Sequence, residues 1–301
     1  MILLVDTNPI LEERLKGESF PKGALSRASE KQTTPAGYGT HMARLARSIN
    51  ESVRLMTFLG GDAGERYKKL MEAEGTQVVA KNLRDETREH VILEEKNKKT
   101  TIETAEPRRT REDMVDFYDL FLREAGKSDA VVLCESTGTG EADGMKLPLV
   151  RYARKLSKPV IILASEADDE EAVKEAKPFG LVVNRHVLAA KINKPIHFLG
   201  EIVSALDTLY GGEIPLILVT GSERGSILRA RGSYYFAKNE DKKGSFDAHY
   251  AALALAAGIV RKYDAPTVLK LAHGAATTEG EADFADLKGR MNQIDVQRME
   301  V

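Results

Sequence analysis

Short apolar runs alternating with segments of helical period are the feature that most limits what this chain can become. The runs fall at residues 2–5, 53–58, 130–134, 160–163, 181–183 and 216–219, several of them rich in Val and Ile. Each is too short for a buried helix, and all but 53–58, which holds Arg54 and Thr57, are too uniformly apolar for a strand with one wet face, so they read as strands covered on both sides. Between them lie amphipathic stretches at 41–49, 64–73, 111–125, 147–155 and 248–262. That order predicts an α/β fold, a largely parallel sheet with crossover helices on its two faces. A chain of 301 residues, 42% apolar with 24 glycines besides, is long enough to bury such a core.

Two stretches break the rhythm. Residues 10–34, with Pro21-Lys22-Gly23 at the centre, and residues 86–104, with a charged turn from Glu94 to Lys99, are too polar for a buried parallel sheet. They are expected to form short antiparallel strands, a small β lid inserted into one core made of 1–9, 35–85 and 105–301. The Glu94–Lys99 run is expected to be a solvated hairpin tip, and the acidic run 166–171 a solvated helix start.

Charge and cysteine content narrow the functional classes. Lys and Arg number 44 against 46 Asp and Glu, so no global field recruits nucleic acid or an anionic membrane, and any anion site must be local. The single cysteine, Cys134, excludes an intrachain disulfide framework and multi-cysteine zinc patterns. The apolar run at the N-terminus is too short for a signal peptide and no run approaches a membrane span; the expectation is a soluble cytoplasmic protein.

Several motifs fail on inspection. Gly126-Lys127-Ser128 has Phe121 where a phosphate loop needs its first glycine, and it precedes a strand instead of following one. Gly37-Tyr38-Gly39 has Met42 at the third position of a dinucleotide fingerprint. The Gly-x-Ser-x-Gly elbow is missing. The six histidines lack zinc-helix spacing, and none is expected to hold a metal. What remains is Gly244-Ser245-Phe246-Asp247, leading into an apolar helix. A turn at a helix start offers unpaired N–H groups and the positive end of the dipole to an anion. Asp247 in that turn has two readings, a cap that stabilises the helix or a base toward a hydroxyl beside the anion.

With these residues in view, the chain resembles the PfkB/ribokinase family of carbohydrate kinases, in particular its 1-phosphofructokinase and tagatose-6-phosphate kinase branch. The opening Asp6-Thr7-Asn8-Pro9-Ile10-Leu11-Glu12 is similar to that branch's Thr-Leu-Asn-Pro-Ala-Leu-Asp. Gly60-Gly61-Asp62-Ala63-Gly64 is similar to its Gly-Gly-x-x-Gly turn, and Thr87-Arg88-Glu89-His90-Val91 to its Thr-Arg-x-Asn-Val strand. Gly244–Asp247 stands where the family has Gly-Ala-Gly-Asp. The resemblance implies a ribokinase-like three-layer α/β/α core with a small β-sheet lid, and ATP-dependent phosphorylation of a sugar or sugar phosphate. It makes Asp247 the general base, with the amides of Gly244, Ser245, Phe246 and Asp247 as an anion hole. It places Asn8, Glu12, Gly37, Tyr38, Gly39, His41 and Arg88 at the substrate, and Asn184, Thr220, Ser222 and Gly225 at the nucleotide. It also implies a homodimer formed through the lid, with ATP and Mg2+ as cofactors.

The departures from the family pattern cluster at the site. Tyr38 stands where a lysine would pair with a substrate phosphate, and His41 where an amide would bind sugar hydroxyls. Glu12 replaces Asp with one more methylene, and Phe246 replaces a glycine. Asn184-Arg185-His186-Val187 lacks the carboxylate that the family associates with Mg2+. Ser222-Glu223-Arg224-Gly225 and Glu135-Ser136-Thr137-Gly138 replace two further loops. The competing expectation is therefore a catalytically degenerate kinase fold that binds a nucleotide or metabolite without turnover.

Overall fold

The computed structural model describes residues 1–134, 144–168, 170–222, 224–238, 246–278 and 281–300. In chain order it begins with β1 (Ile2–Asp6), β2 (Ile10–Lys16), β3 (Glu30–Ala36), α1 (Tyr38–Ser48), β4 (Val53–Gly60), α2 (Gly61–Ala73) and β5 (Gln77–Leu83). There follow β6 (Glu89–Glu95), β7 (Lys98–Glu103), α3 (Arg111–Gly126), β8 (Ala130–Leu133), α4 (Lys146–Lys155), β9 (Val160–Leu163), α5 (Glu170–Ala176), β10 (Gly180–Asn184) and α6 (Arg185–Lys191). The remainder is α7 (Leu199–Tyr210), β11 (Leu216–Ser222), β12 (Gly225–Ala230), β13 (Ser233–Lys238), α8 (Ala248–Val260), α9 (Ala265–Ala276), a 3-10 segment (Glu281–Asp286), α10 (Leu287–Gln293) and β14 (Val296–Met299).

Ten strands form one sheet in the order β14-β13-β12-β11-β10-β9-β8-β1-β4-β5. From β5 to β11 every neighbour is parallel, whereas β11 to β14 pair antiparallel. The alternation of side chains along a strand divides the core in two. Ile2 and Leu4 of β1, with Ala130 and Val132 of β8, pack on one face against α1, α2, α8 and α9. Leu3, Val5, Val131 and Leu133 point the other way, into α3, α4, α6 and α7. The result is the expected three-layer, ribokinase-like arrangement. Helix α8 is apolar all round and buried from His249 to Gly258, and it packs beneath β8, β9 and β10.

The four strands of the second sheet are ordered β3-β2-β6-β7. The sequence reading takes all of them as antiparallel, and one pairing corrects it: β2 and β6 run parallel, with Glu12 opposite His90. The two polar stretches are separate hairpins that meet along their inner strands, and both inner strands leave the main sheet in the same direction. β6 and β7 are joined by a turn at Lys96-Asn97, as the charged run predicts. The acidic run 166–171 also needs correction. Asp168 is bound by Lys146 at 2.8 Å, and Glu170 in the first turn of α5 holds Lys191, whose side chain is 4% exposed. These carboxylates fasten α4 and α6 to α5. Asp169 lies outside the described residues. Among the described residues, no helix is long and apolar enough to cross a membrane.

One buried histidine makes stability depend on pH. His273 in α9 is 3% exposed, and its Nδ1 lies 2.9 Å from the Ser226 hydroxyl in β12. Burial, with Arg290 adding repulsion, pushes its pKa down to about 4. Between that value and the ordinary ~6.5, the unfolded chain binds a proton that the native chain refuses, so stability falls as pH falls through this window. The full loss is roughly 3 kcal/mol. Urea unfolding at pH 7 and pH 4.5 should show this drop in the native chain and a smaller one in His273→Gln. Equal drops in both would show that His273 does not titrate this way.

Candidate active site

The C-terminal ends of the parallel strands share one edge of the sheet, where α/β proteins gather ligands. β1 ends there at Asp6, whose carboxylate is 1% exposed. Its Oδ1 accepts the Asn8 N–H at 3.0 Å and its Oδ2 the Gly39 N–H at 2.8 Å. Burial raises the Asp6 pKa, and these two amides offset only part of that rise. Gly37 caps α1 at a φ of 105°, a region that favours glycine. A Cβ on Gly39 would lie 2.7 Å from the Asp6 Cβ, so the close approach of α1 to β1 also requires glycine. Helix α1 starts three residues before the predicted segment and takes Tyr38 and Gly39 into its first turn.

Asp247 is the N-cap of α8. Its Oδ1 accepts the N–H groups of His249 at 2.8 Å and Tyr250 at 3.3 Å. Burial raises its pKa, but the hydrogen bond and charge of His249 and the two amides outweigh this and hold it below the usual carboxylate value. Its own N–H donates to the Ala276 carbonyl at 2.8 Å. The anion hole expected from four amides therefore loses that of Asp247. Gly244 and Ser245 lie outside the described residues, and Phe246 packs toward the core with its ring tilted against His273.

His249, which the sequence reading passes over, joins the two loops. Its ring lies flat on that of Tyr38, with centroids 3.5 Å apart and planes 9° apart. Its Nδ1 is 3.4 Å from the Asp247 Oδ1, and its buried Nε2 has no hydrogen-bond partner among the described residues. No local spacing marks such a residue, because its partner is on a helix at the other end of the chain.

A chain of polar contacts continues into the small sheet. Asn8 Nδ2 donates to Glu106 at 3.3 Å. Arg88, 6% exposed, lies 3.6 Å from Glu106 and 4.0 Å from Glu103, and Glu103 in turn is 3.1 Å from His90. Burial lowers the His90 pKa, with Glu103 opposing. Arg109 donates to the Thr7 carbonyl at 2.8 Å. Next to Arg88, Thr87 Oγ1 accepts the Gly60 N–H and the Glu86 carboxylate accepts the N–H groups of Asp62 and Ala63, so the glycine turn is fastened to the segment that leads into β6. Glu12 and His41 fall slightly apart from this group. They line a cavity of about 510 Å³ between the small sheet and α1, together with Arg14 and Arg44. Both arginines are already engaged, Arg14 by Glu12 and Arg44 by Glu74.

The expected nucleotide residues gather at the ends of β10 and β11. Asn184 stands opposite Thr220 in register, and Thr220 Oγ1 is buried without a partner among the described residues. A Cβ on Gly221, whose φ is 75°, would sit 2.5 Å from the Asn184 amide nitrogen. Past an irregularity in the ladder, the backbones of Ser222 and Gly225 pair. An orphaned hydroxyl beside a bare backbone suits a polar ligand such as ATP. The same place suits Mg2+ poorly: Asn184 Oδ1 accepts the His186 N–H as a helix cap, and Val187 packs into the apolar core. Glu135–Gly138 and Glu223 lie outside the described residues.

Solved structures with this architecture include several named as phosphofructokinases. A Staphylococcus aureus protein provisionally named a phosphofructokinase superposes with a TM-score of 0.88 at 16% identity, covering 100% of this chain and 99% of its own. The phosphofructokinase-2 of Escherichia coli, in complex with fructose-6-phosphate, gives 0.79 at 13% identity over 97% and 98%. A Thermotoga maritima protein provisionally named a 1-phosphofructokinase gives 0.74 at 18% identity over 99% of both chains. Identities this low speak for the fold. The sequence itself matches the pfkB family carbohydrate kinase profile from residue 9 to residue 279, and on that match the chain belongs to the PfkB family of carbohydrate kinases.

Proposed function

We infer that this chain transfers a phosphoryl group from ATP to a hydroxyl of a sugar or sugar phosphate, with Asp247 as the general base. The observation that carries the reading is the unequal use of one carboxylate. Oδ1 is fixed by two amides, whereas Oδ2 has no hydrogen bond among the described residues, on a side chain 37% exposed. A carboxylate so held is oriented and ionised at neutral pH, which is what proton removal from an acceptor hydroxyl requires. As that oxygen bonds to the γ-phosphorus of ATP and the bond to the departing ADP breaks, its proton passes to Asp247. PfkB kinases generally use ATP and Mg2+; ATP supplies the phosphoryl group, and the misfit at Val187 leaves no step here that runs through the metal.

In this reading Asn8, Glu12, Gly37, Tyr38, Gly39, His41 and Arg88 surround the acceptor, and Asn184, Thr220, Ser222 and Gly225 surround the nucleotide. The Phe246 amide is assigned to the transferred group; Gly244 and Ser245, expected to act with it, lie outside the described residues. The small sheet, 10–34 with 86–104, acts as a lid on the core. Its face away from Glu12 and His90 carries Val91, Leu93 and the 52% exposed Ile102, and we assign that face to a homodimer contact. One E. coli phosphofructokinase-2 structure is described as tetrameric. A cytoplasmic location belongs to the same proposal, supported by a lone, buried cysteine whose thiol burial pushes up. The alternative, a binder without turnover, draws support from Val187 and from the spent Asp247 amide.

Asp247→Asn separates base from cap, because Asn caps a helix as well as Asp does. ATP-dependent phosphorylation over a panel of sugars and sugar phosphates should fall about 10²–10⁴-fold with Tm unchanged. Undiminished turnover would refute the base. ATP-dependent thermal stabilisation of the native chain with no turnover on any acceptor would favour the binder. In sedimentation equilibrium the native chain should run at twice its chain mass and Ile102→Glu as a monomer, whereas a monomeric native chain would end the dimer assignment.

A further inference from the structure

The residues expected to hold a substrate phosphate are committed elsewhere. Where the resemblance calls for a phosphate-pairing lysine, Tyr38 is stacked on His249, so the position offers a flat ring and no charge. The other expected ligand, Arg88, is buried between Glu106 and Glu103. Glu106 also accepts from the Asn8 amide, and Glu103 lies 3.1 Å from His90. Across the sheet from His90 stands Glu12, which binds Arg14, while Arg44 on the cavity wall is held by Glu74 through two hydrogen bonds. Arg109 spends a donor on the Thr7 carbonyl and lies over the Phe58 ring.

A phosphate ester brought into this group would meet Glu103 and Glu106, with Glu12 opposite His90, and would have to share Arg88 with two carboxylates. Like charges so close in a partly buried setting are costly. Sugar hydroxyls face no such conflict. Each donates and accepts, so it can give its proton to Glu103 or Glu106 and accept from Arg88 or the Asn8 amide without unpairing a charge. The Tyr38 ring, half-buried with one face on His249, adds an apolar surface of the kind that suits the C–H face of a sugar.

Building on the phosphotransfer reading above, we propose that the acceptor is an unphosphorylated sugar, selected by the Asn8–Glu106–Arg88–Glu103–His90 network and the Tyr38–His249 stack. The chain thereby differs in substrate class from the phosphofructokinases it resembles in fold.

The test compares matched pairs on the full chain: D-fructose with its 1- and 6-phosphates, D-tagatose with its 6-phosphate and D-ribose with its 5-phosphate. Isothermal titration gives affinity, and ADP release with ATP and Mg2+ gives kcat/KM. For the best pair, the neutral sugar should be favoured at least 10-fold in both. Tyr38→Lys with Glu103→Gln should shift that ratio at least 10-fold toward the phosphate ester. Tyr38→Phe, which keeps a ring and adds no charge, should leave it unchanged. A native chain that favours the phosphorylated member of its best pair, or binds neither series, overturns the proposal whatever the variants do. Preferential binding of neutral sugars without any ADP release would instead remove the phosphotransfer reading and leave the selectivity standing.

Discussion

Every residue of α8 from His249 to Gly258 is buried, and a helix with no polar face has nowhere to lie but across the middle of the sheet. Burying it beneath β8, β9 and β10 brings its N-terminus out at the edge where the parallel strands end. Asp247 is thereby fixed by packing far larger than any contact it makes itself. Around that fixed point the other parts take their places. β1 delivers Asp6 to the same edge, Asp6 draws in the amides of Asn8 and Gly39, and the start of α1 follows Gly39. Distant stretches of sequence become one site because an apolar helix must avoid water.

What the sequence discloses is what local physical chemistry writes into it. Burial on both faces leaves uninterrupted apolar runs, and β1, β8, β9 and β10 are readable for that reason. β12 and β13 are not apparent in the same way: Ser226 and Arg229 interrupt β12, and β13 is only half-buried. Their mark is the Arg231-Gly232 turn between two strand-like segments. The antiparallel reading of the small sheet missed the β2–β6 pairing because each hairpin is antiparallel within itself; how two hairpins meet is decided at long range.

The site is legible to a similar depth. Asp247 stands out because a carboxylate before an apolar helix has a local meaning, and the structure gives it the cap that this meaning includes. Asp6 lies within the motif at the chain's start, yet only burial and its two amide donors reveal how it organises the loop. Glu103 and Glu106 look like ordinary surface acids until Arg88 is placed between them. Near-neutral net charge required any charged site to be local, and the network around Arg88 is local in the strict sense, with two carboxylates within 4.0 Å of one guanidinium.

Helices α1 and α8 are joined at both ends. At their N-termini the rings of Tyr38 and His249 are stacked; at the far end Arg261, just past α8, reaches Glu51 at 2.9 Å and the Ile49 carbonyl at 2.7 Å, just past α1. A tilt of one helix against the other would have to separate the rings or break the ion pair, and a slide along their length would do both. The two helices therefore form a stiff beam, and the loops bearing Gly37 and Asp247 keep a constant spacing along it. Four short chain crossings, at 7–9, 37, 84–88 and 104–110, join the small sheet to the end of this beam, and the buried Asn8 and Thr87 sit within two of them.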